Sequence, residues 1–218
     1  MSGDRRFYEA PAGHDSRRSA PAALRNREPI AQVLAQWLPK SGFVLEIASG
    51  TGEHSTFFAE RFPALQWQPS DIHPDALRSI MAWQSQAGLP NLHEPIELDA
   101  ATANWSVASA DAILSINMVH ISPWNSAIGL LAGAARILPP GGALILYGPW
   151  LSDRIDTAAS NMEFDADLRR RDPAWGLRTV EEFASQATAR GLELAEERSM
   201  PANNLMLLFR KGTVPTRL

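Results

Sequence analysis

A turn of small residues, Ala48-Ser49-Gly50-Thr51-Gly52, follows the apolar run Val44-Leu45-Glu46-Ile47 and opens into a helical pattern. A strand entering such a turn presents outward-facing backbone N–H groups at its C-terminal end, and glycine admits a ligand because no Cβ intervenes. Two carboxylates recur at matching places. Asp71, 19 residues after Gly52, ends the second predicted strand, where a carboxylate can accept hydrogen bonds from ribose hydroxyls. Asp99, in Glu97-Leu98-Asp99-Ala100, ends the third, where it can accept from an exocyclic adenine amine. With their neighbours Ile72 and Ala100, these residues form an expected nucleoside wall along one sheet edge. Asp71 has a second reading as an N-cap for the helix near Pro74, and Asp99 as a loop carboxylate.

The charge pattern selects among nucleosides. A dinucleotide fingerprint needs a third small residue, and position 55 is Ser. A dinucleotide also sets an anionic pyrophosphate at the turn, where Glu46 would repel it. S-adenosylmethionine carries a sulfonium and an ammonium instead, and a carboxylate suits both cations. No Gly-Lys-Ser/Thr follows the turn, which excludes a phosphate-binding P-loop.

The elements that must position these residues alternate. Strands are expected over Gly42–Ala48, Leu65–Ser70, Pro95–Leu98, Asp111–Ile116 and Ala143–Tyr147, with helices over Glu53–Phe62, Pro74–Gln86 and Trp124–Leu138 between them. That rhythm implies βαβ units and a parallel sheet. A helix over Ala22–Leu38 precedes them, with Pro29 a start or a kink, and residues 1–22 read as an irregular arm. Thr179–Arg190 forms a capped helix, with Glu182 three residues after Thr179. Leu192–Arg198 and Leu205–Arg210 then read as strands, joined too closely for a parallel crossover, so they pair antiparallel. The main domain is set at 23–211, with a tail at 212–218.

Composition excludes several classes. Among 218 residues there is no cysteine, hence no disulfide, thiol nucleophile or cysteine-ligated metal. The histidines lack ligand spacing, and no metal is expected. A net charge of −4 offers no electrostatic pull on nucleic acid, and no span long enough for a membrane is present. The polar N-terminus lacks a secretory pattern, so a cytoplasmic location is expected. The 18 arginines against 2 lysines read as a coding bias.

The run Glu46-Ile47-Ala48-Ser49-Gly50-Thr51-Gly52, together with Asp71, Asp99 and the antiparallel last strand, resembles class I S-adenosylmethionine-dependent methyltransferases, with Ala48 where many members have Gly. Ala22–Ile30, Trp67-Gln68-Pro69-Ser70-Asp71 and Arg171–Arg178 resemble more narrowly a domain-of-unknown-function family that includes the methyltransferase-like 26 proteins. The resemblance implies an α/β Rossmann-like fold, a seven-stranded sheet ordered 3-2-1-4-5-7-6 with strand 7 antiparallel, and helices on both faces. It implies S-adenosyl-L-methionine as cofactor and S-adenosyl-L-homocysteine as product. Glu46, Ala48, Ser49, Gly50, Thr51 and Gly52 would form the cofactor loop, with Asn117 and Met118 at the methionine end. Asn26 and Arg27 would close the arm over the cofactor, or else simply begin a surface helix.

His120 is the candidate general base, since an ordinary imidazole titrates at ~6.5; its other reading is a structural histidine under the loop. Residues 149–178 are expected to form a lid-like insertion, where Tyr147, Trp150, Trp175 and Arg178 would line an aromatic, partly cationic acceptor pocket, or else pack as core. The segment 117–124 departs from the N-P-P-Y type of motif used on base nitrogens and glutamine amides. The expected function is methyl transfer to a small-molecule acceptor. The alternatives are a NAD-dependent oxidoreductase and a catalytically silent S-adenosylmethionine-binding protein.

Overall fold

The computed structural model describes residues 16–212. The elements run α1 (Pro21–Trp37), β1 (Gly42–Ile47), α2 (Glu53–Arg61), β2 (Leu65–Asp71), α3 (Pro74–Ala87), β3 (Ile96–Glu97), β4 (Ala112–Ile116), α4 (Trp124–Ile137), β5 (Ala143–Gly148), α5 (Ala159–Arg171), α6 (Val180–Thr188), β6 (Leu192–Met200) and β7 (Asn204–Lys211). The sheet order is β3-β2-β1-β4-β5-β7-β6, as the resemblance implies. β1 pairs parallel with β2 and β4, β4 with β5, and β2 with β3. β7 is antiparallel to both β5 and β6.

The central strands are apolar because both faces are covered. Val44, Trp67, Ala112, Ile145 and Leu208 face α1 and α2, packing on Ile30, Leu34, Trp37 and Phe58. Leu45, Ile47, Ile113, Leu144 and Phe209 face α4 and α6, packing on Leu130, Leu131, Val180 and Phe183. Burying one such large side chain contributes on the order of 2 kcal/mol. Pro21 starts α1, and Pro29 sits inside the helix without ending it. Having no N–H, Pro29 leaves the carbonyl of Arg25 without its helical donor. Thr179 caps α6, its side chain accepting from the Glu182 N–H at 3.2 Å.

The segment 149–178 is held in two places, where its ends meet and near its middle. Leu151 pairs with Thr179 in a parallel bridge. At the β6–β7 turn, Ala202 and Asn203 take positive φ. There the Asn203 side chain accepts from the N–H of Ala158 at 2.9 Å and from Asn161 Nδ2 at 3.1 Å. Arg169, Arg170 and Arg171 pair with Asp165 and Asp167 along α5.

The arm expected at 1–22 is shorter as an irregular segment, because α1 begins at Pro21. Residues 17–20 of it dock on α2 and α3, and its first 15 residues lie outside the described residues, as do 213–218 of the tail. No helix among the described residues is long and apolar enough to cross a membrane.

Candidate functional site

The loop after β1 is built from left-handed residues: Ala48 at φ 58°, Gly50 at 60° and Gly52 at 89°. Gly52 packs so closely on α3 that a Cβ there would meet the Ile80 backbone at 2.8 Å, so only glycine fits. Ala48 pays a steric cost of roughly 1–2 kcal/mol for a conformation that glycine adopts freely. Beneath the loop, Pro69 lacks an N–H on the edge of β2 that faces β3, two residues after the Trp67 N–H that donates to the Asn91 carbonyl. On the β1 side, two hydroxyls donate to the Glu46 carbonyl: Ser70 Oγ at 2.7 Å and Ser49 Oγ at 3.3 Å. The sequence Gln68-Pro69-Ser70-Asp71 thus locks β2 under the turn.

Asp71 lies at the C-terminal end of β2 and is 5% exposed. Its Oδ2 accepts from the Gly50 N–H at 3.0 Å and its Oδ1 from the His73 N–H at 2.9 Å. The helix cap of α3 is His73, with no side-chain cap bond, so Asp71 is not the N-cap. Burial raises the Asp71 carboxyl, and the backbone bonds from His73 and Gly50 oppose that rise. Ile72 beside it is 45% exposed. Asp99 is partly exposed, and its Oδ1 accepts from the Ala101 N–H at 2.8 Å. Ala100 is buried. These groups share the C-terminal edge of β1, β2 and β3.

Glu46 departs from expectation. Alternation along β1 puts it on the Val44 face, toward α1 and α2, and its Oε2 accepts from Trp67 Nε1 at 2.6 Å. At 2% exposure, burial raises its carboxyl to about 7, the Trp67 bond opposing. Glu46 is therefore not a free anion facing the ligand edge, and its charge does not discriminate a sulfonium nucleoside from a dinucleotide.

On the same face, His54 of α2 lies 2.8 Å from Asn26 Oδ1 and stacks on Phe58 at 5.5 Å. Burial and the Arg27 charge lower His54 to about 4. Arg27 itself lies over the Phe57 ring, 4.8 Å from its centroid. Tyr147 belongs to this cluster too, its hydroxyl raised by burial and lowered by the Asn26 bond and the Arg25 charge.

Across the sheet, Asn117, the residue after β4, has φ 62°, a left-handed conformation that asparagine tolerates. Its N–H donates to the Tyr147 carbonyl at 2.8 Å. Met118 is 9% exposed and its sulfur accepts from Ser122 Oγ at 3.3 Å. His120 is fully buried, its ring edge-on to Trp150 at 4.7 Å. Its Nε2 lies where a Cβ on Gly148 would come within 2.5 Å. Neither ring nitrogen has a hydrogen-bond partner among the described residues. Burial, with the Arg178 charge, lowers the imidazole to about 3. The expectation of a neutral-pH general base is not met by this environment: the ring is neutral and enclosed. Its backbone carbonyl instead accepts from the Gly176 N–H at 3.0 Å, tying the β4 loop to the insertion.

The four expected acceptor residues do not form one wall. Tyr147 faces α1, whereas Trp150 packs against Phe183 at 5.2 Å on the opposite face. Arg178 lies over Trp124, 5.5 Å from the ring centroid, and donates to the carbonyls of Ala174 at 2.7 Å and Ser122 at 3.3 Å. Trp175, with its N–H on the Asp172 carbonyl at 2.9 Å, stays in the same insertion. Among the described residues, no group of three or more His, Asp or Glu is placed to hold a metal ion.

Sequence reasoning missed Glu53, Ser79 and Arg18, which join the arm to the loop. The acidic first-turn position of Glu53 in α2 was the available signal; the arm's attachment to Asp75 and Ser79, some sixty positions away, left none.

The family described as Protein of unknown function (DUF938) matches residues 17–211. This chain belongs to that family. Among solved structures, an O-methyltransferase family protein from Burkholderia thailandensis is 22% identical with a TM-score of 0.75, covering 88% of this chain and 58% of its own. The mitomycin 7-O-methyltransferase MmcR is 18% identical with a TM-score of 0.74, covering 88% and 54%. Human N-acetylserotonin methyltransferase, solved in complex with S-adenosylmethionine, is 15% identical with a TM-score of 0.70, covering 88% and 53%. The DUF938 chain spans a little over half the length of these three proteins and shares their fold.

Proposed function

We propose that this DUF938 protein transfers the methyl group of S-adenosyl-L-methionine to a small-molecule acceptor, releasing S-adenosyl-L-homocysteine. The observation that carries the reading is the junction of loop and second strand: Asp71 holds Gly50 at 3.0 Å, under a loop with three left-handed residues, at the C-terminal edge of a 3-2-1-4-5-7-6 sheet. The residues fit a nucleoside. A Cβ on Gly50 would meet nothing within 4 Å, so the main chain there is open to a ligand. Asp71 retains lone pairs for ribose hydroxyls, exposed Ile72 offers an apolar surface for a purine, and partly exposed Asp99 can accept from its amine. Asn117 and Met118 bound the far end of the edge, and Asn26 and Arg27 lie in the second turn of α1.

When bound, the sulfonium nucleoside supplies an activated methyl carbon. The chain's part is to orient that carbon toward the acceptor and to exclude water. The buried, neutral His120 supports the loop that does this rather than accepting a proton. Support for a NAD-dependent oxidoreductase is weakened by the antiparallel β7 and by Ser55 in place of the fingerprint's third glycine, no longer by Glu46. The test is release of S-adenosylhomocysteine from S-adenosylmethionine on incubation with pooled small-molecule acceptors. Wild type is expected to release it above the no-acceptor background. Asp71→Ala is expected to abolish release while remaining folded. Cofactor binding without transfer to any acceptor would favour the catalytically silent alternative.

A further inference from the structure

The arm ahead of α1 is bonded to the nucleoside loop through two side chains. Glu53, the first residue of α2, is 3% exposed and stands directly after the loop. Its carboxylate accepts from the Ala20 N–H at 2.7 Å, from Ser19 Oγ at 2.9 Å and from Thr51 Oγ1 at 3.2 Å. One carboxylate thus grips arm and loop together. Ser79 of α3, fully buried, forms the second connection. Its Oγ donates to the Thr51 carbonyl at 2.7 Å and accepts from the Arg18 N–H at 2.8 Å. Along the flank, Arg18 pairs with Asp75 at 2.7 Å, and Trp83 Nε1 donates to the Arg18 carbonyl at 3.0 Å. Thr51 is therefore joined to the arm on both its side chain and its carbonyl.

We propose that residues 17–20 form a strap latched to the nucleoside loop by the positioning residues Glu53 and Ser79, so that docking of the strap and binding of the nucleoside are one coupled event. This rests on the function proposed above. A carboxylate that accepts three hydrogen bonds at once fixes the groups that donate them relative to one another. A loop held at Thr51 keeps the left-handed conformations of Gly50 and Gly52 on either side of it. The same latch sets where α1 begins and so where Asn26 meets His54. Coupling of this kind is reciprocal: if the docked strap tightens ligand binding, the ligand holds the strap down by the same factor.

The experiment uses the full chain and S-adenosylhomocysteine as probe. Binding is measured by calorimetry for wild type, Glu53→Gln, Ser79→Ala and Arg18→Glu. The last lies on the strap, outside the core, and reverses the charge facing Asp75 without touching the loop. In parallel, the rate of tryptic cleavage after Arg18 in wild type is followed by mass spectrometry with and without the probe. Each variant is expected to bind about tenfold more weakly, and the probe is expected to slow that cleavage by a similar factor. Wild-type binding that Glu53→Gln and Arg18→Glu leave within twofold, with cleavage indifferent to the probe, would overturn the latch and leave the proposed function standing. No binding to wild type at all would overturn the function and the latch with it.

Discussion

Glu46→Gln should stabilise the protein, and should do so only above mildly acidic pH. The folded chain holds the Glu46 proton to about 7, against an ordinary 4.5. Burial is the cause, since the Trp67 N–H replaces only part of the water that an ionised carboxylate loses. Because the folded-state value is the higher one, the folded chain binds the proton more tightly than the unfolded chain. The group therefore costs nothing below about pH 4.5, destabilises progressively as pH rises to about 7, and costs a constant amount above that. At ~1.4 kcal/mol per pH unit, that constant amount is about 3 kcal/mol. Glutamine keeps an oxygen to accept the Trp67 indole N–H without a charge to desolvate. Urea melts of wild type and variant at pH 5 and pH 8 measure the difference. The variant should gain about 3 kcal/mol at pH 8, roughly 6–12 °C in melting temperature for a chain of this size, and less than about 1 kcal/mol at pH 5. An equal gain at both pH values, or a loss at pH 8, would show that Glu46 is ionised and compensated, and the account of this face would be wrong.

Ala48→Gly should raise stability by about 1 kcal/mol in the same assay, because it relieves a left-handed alanine at φ 58° and gives back part of the gain in chain entropy. For His120 the sign is opposite to that of Glu46. Its folded-state value is lowered from 6.5 to about 3, so the fold loses stability as pH falls through that window, and the ring nitrogens should show a neutral imidazole by NMR at pH 5.5. A protonated ring at that pH would refute the enclosure. Asn203→Ala removes the acceptor for Ala158 and Asn161, at a cost of about 1–3 kcal/mol. Faster hydrogen exchange should then appear at residues 156–161 ahead of the rest of the chain, and a uniform increase would contradict local pinning.

The alternation of apolar runs with helical spacing made nearly every element of the sheet legible, because buried parallel strands leave little room for other residue types. The antiparallel end was legible from chain length alone: Ser199–Asn204 is too short to cross over. Orientation was harder. The parity of Val44 and Glu46 already placed that carboxylate on the α1 face, but the charge of the residue drew attention to the ligand instead. Tyr147 and Trp150 are three residues apart, an odd spacing that sends them to opposite faces of an extended chain. The enclosure of His120 depends on Trp150, Gly148 and the insertion, all distant in sequence. The strap was illegible for a similar reason, since an irregular Pro- and Arg-rich segment has no periodicity and its partners, Asp75, Ser79 and Trp83, lie on a helix near 60 residues away.

The central claim, that the edge above β1 and β2 takes a sulfonium nucleoside, is tested most directly by calorimetric titration of the full chain with S-adenosylmethionine, S-adenosylhomocysteine and NAD. Saturable one-to-one heats with the first two, lost in Asp71→Ala, and none with NAD are the predicted outcome. Saturable binding of NAD with no response to either sulfur nucleoside would contradict it.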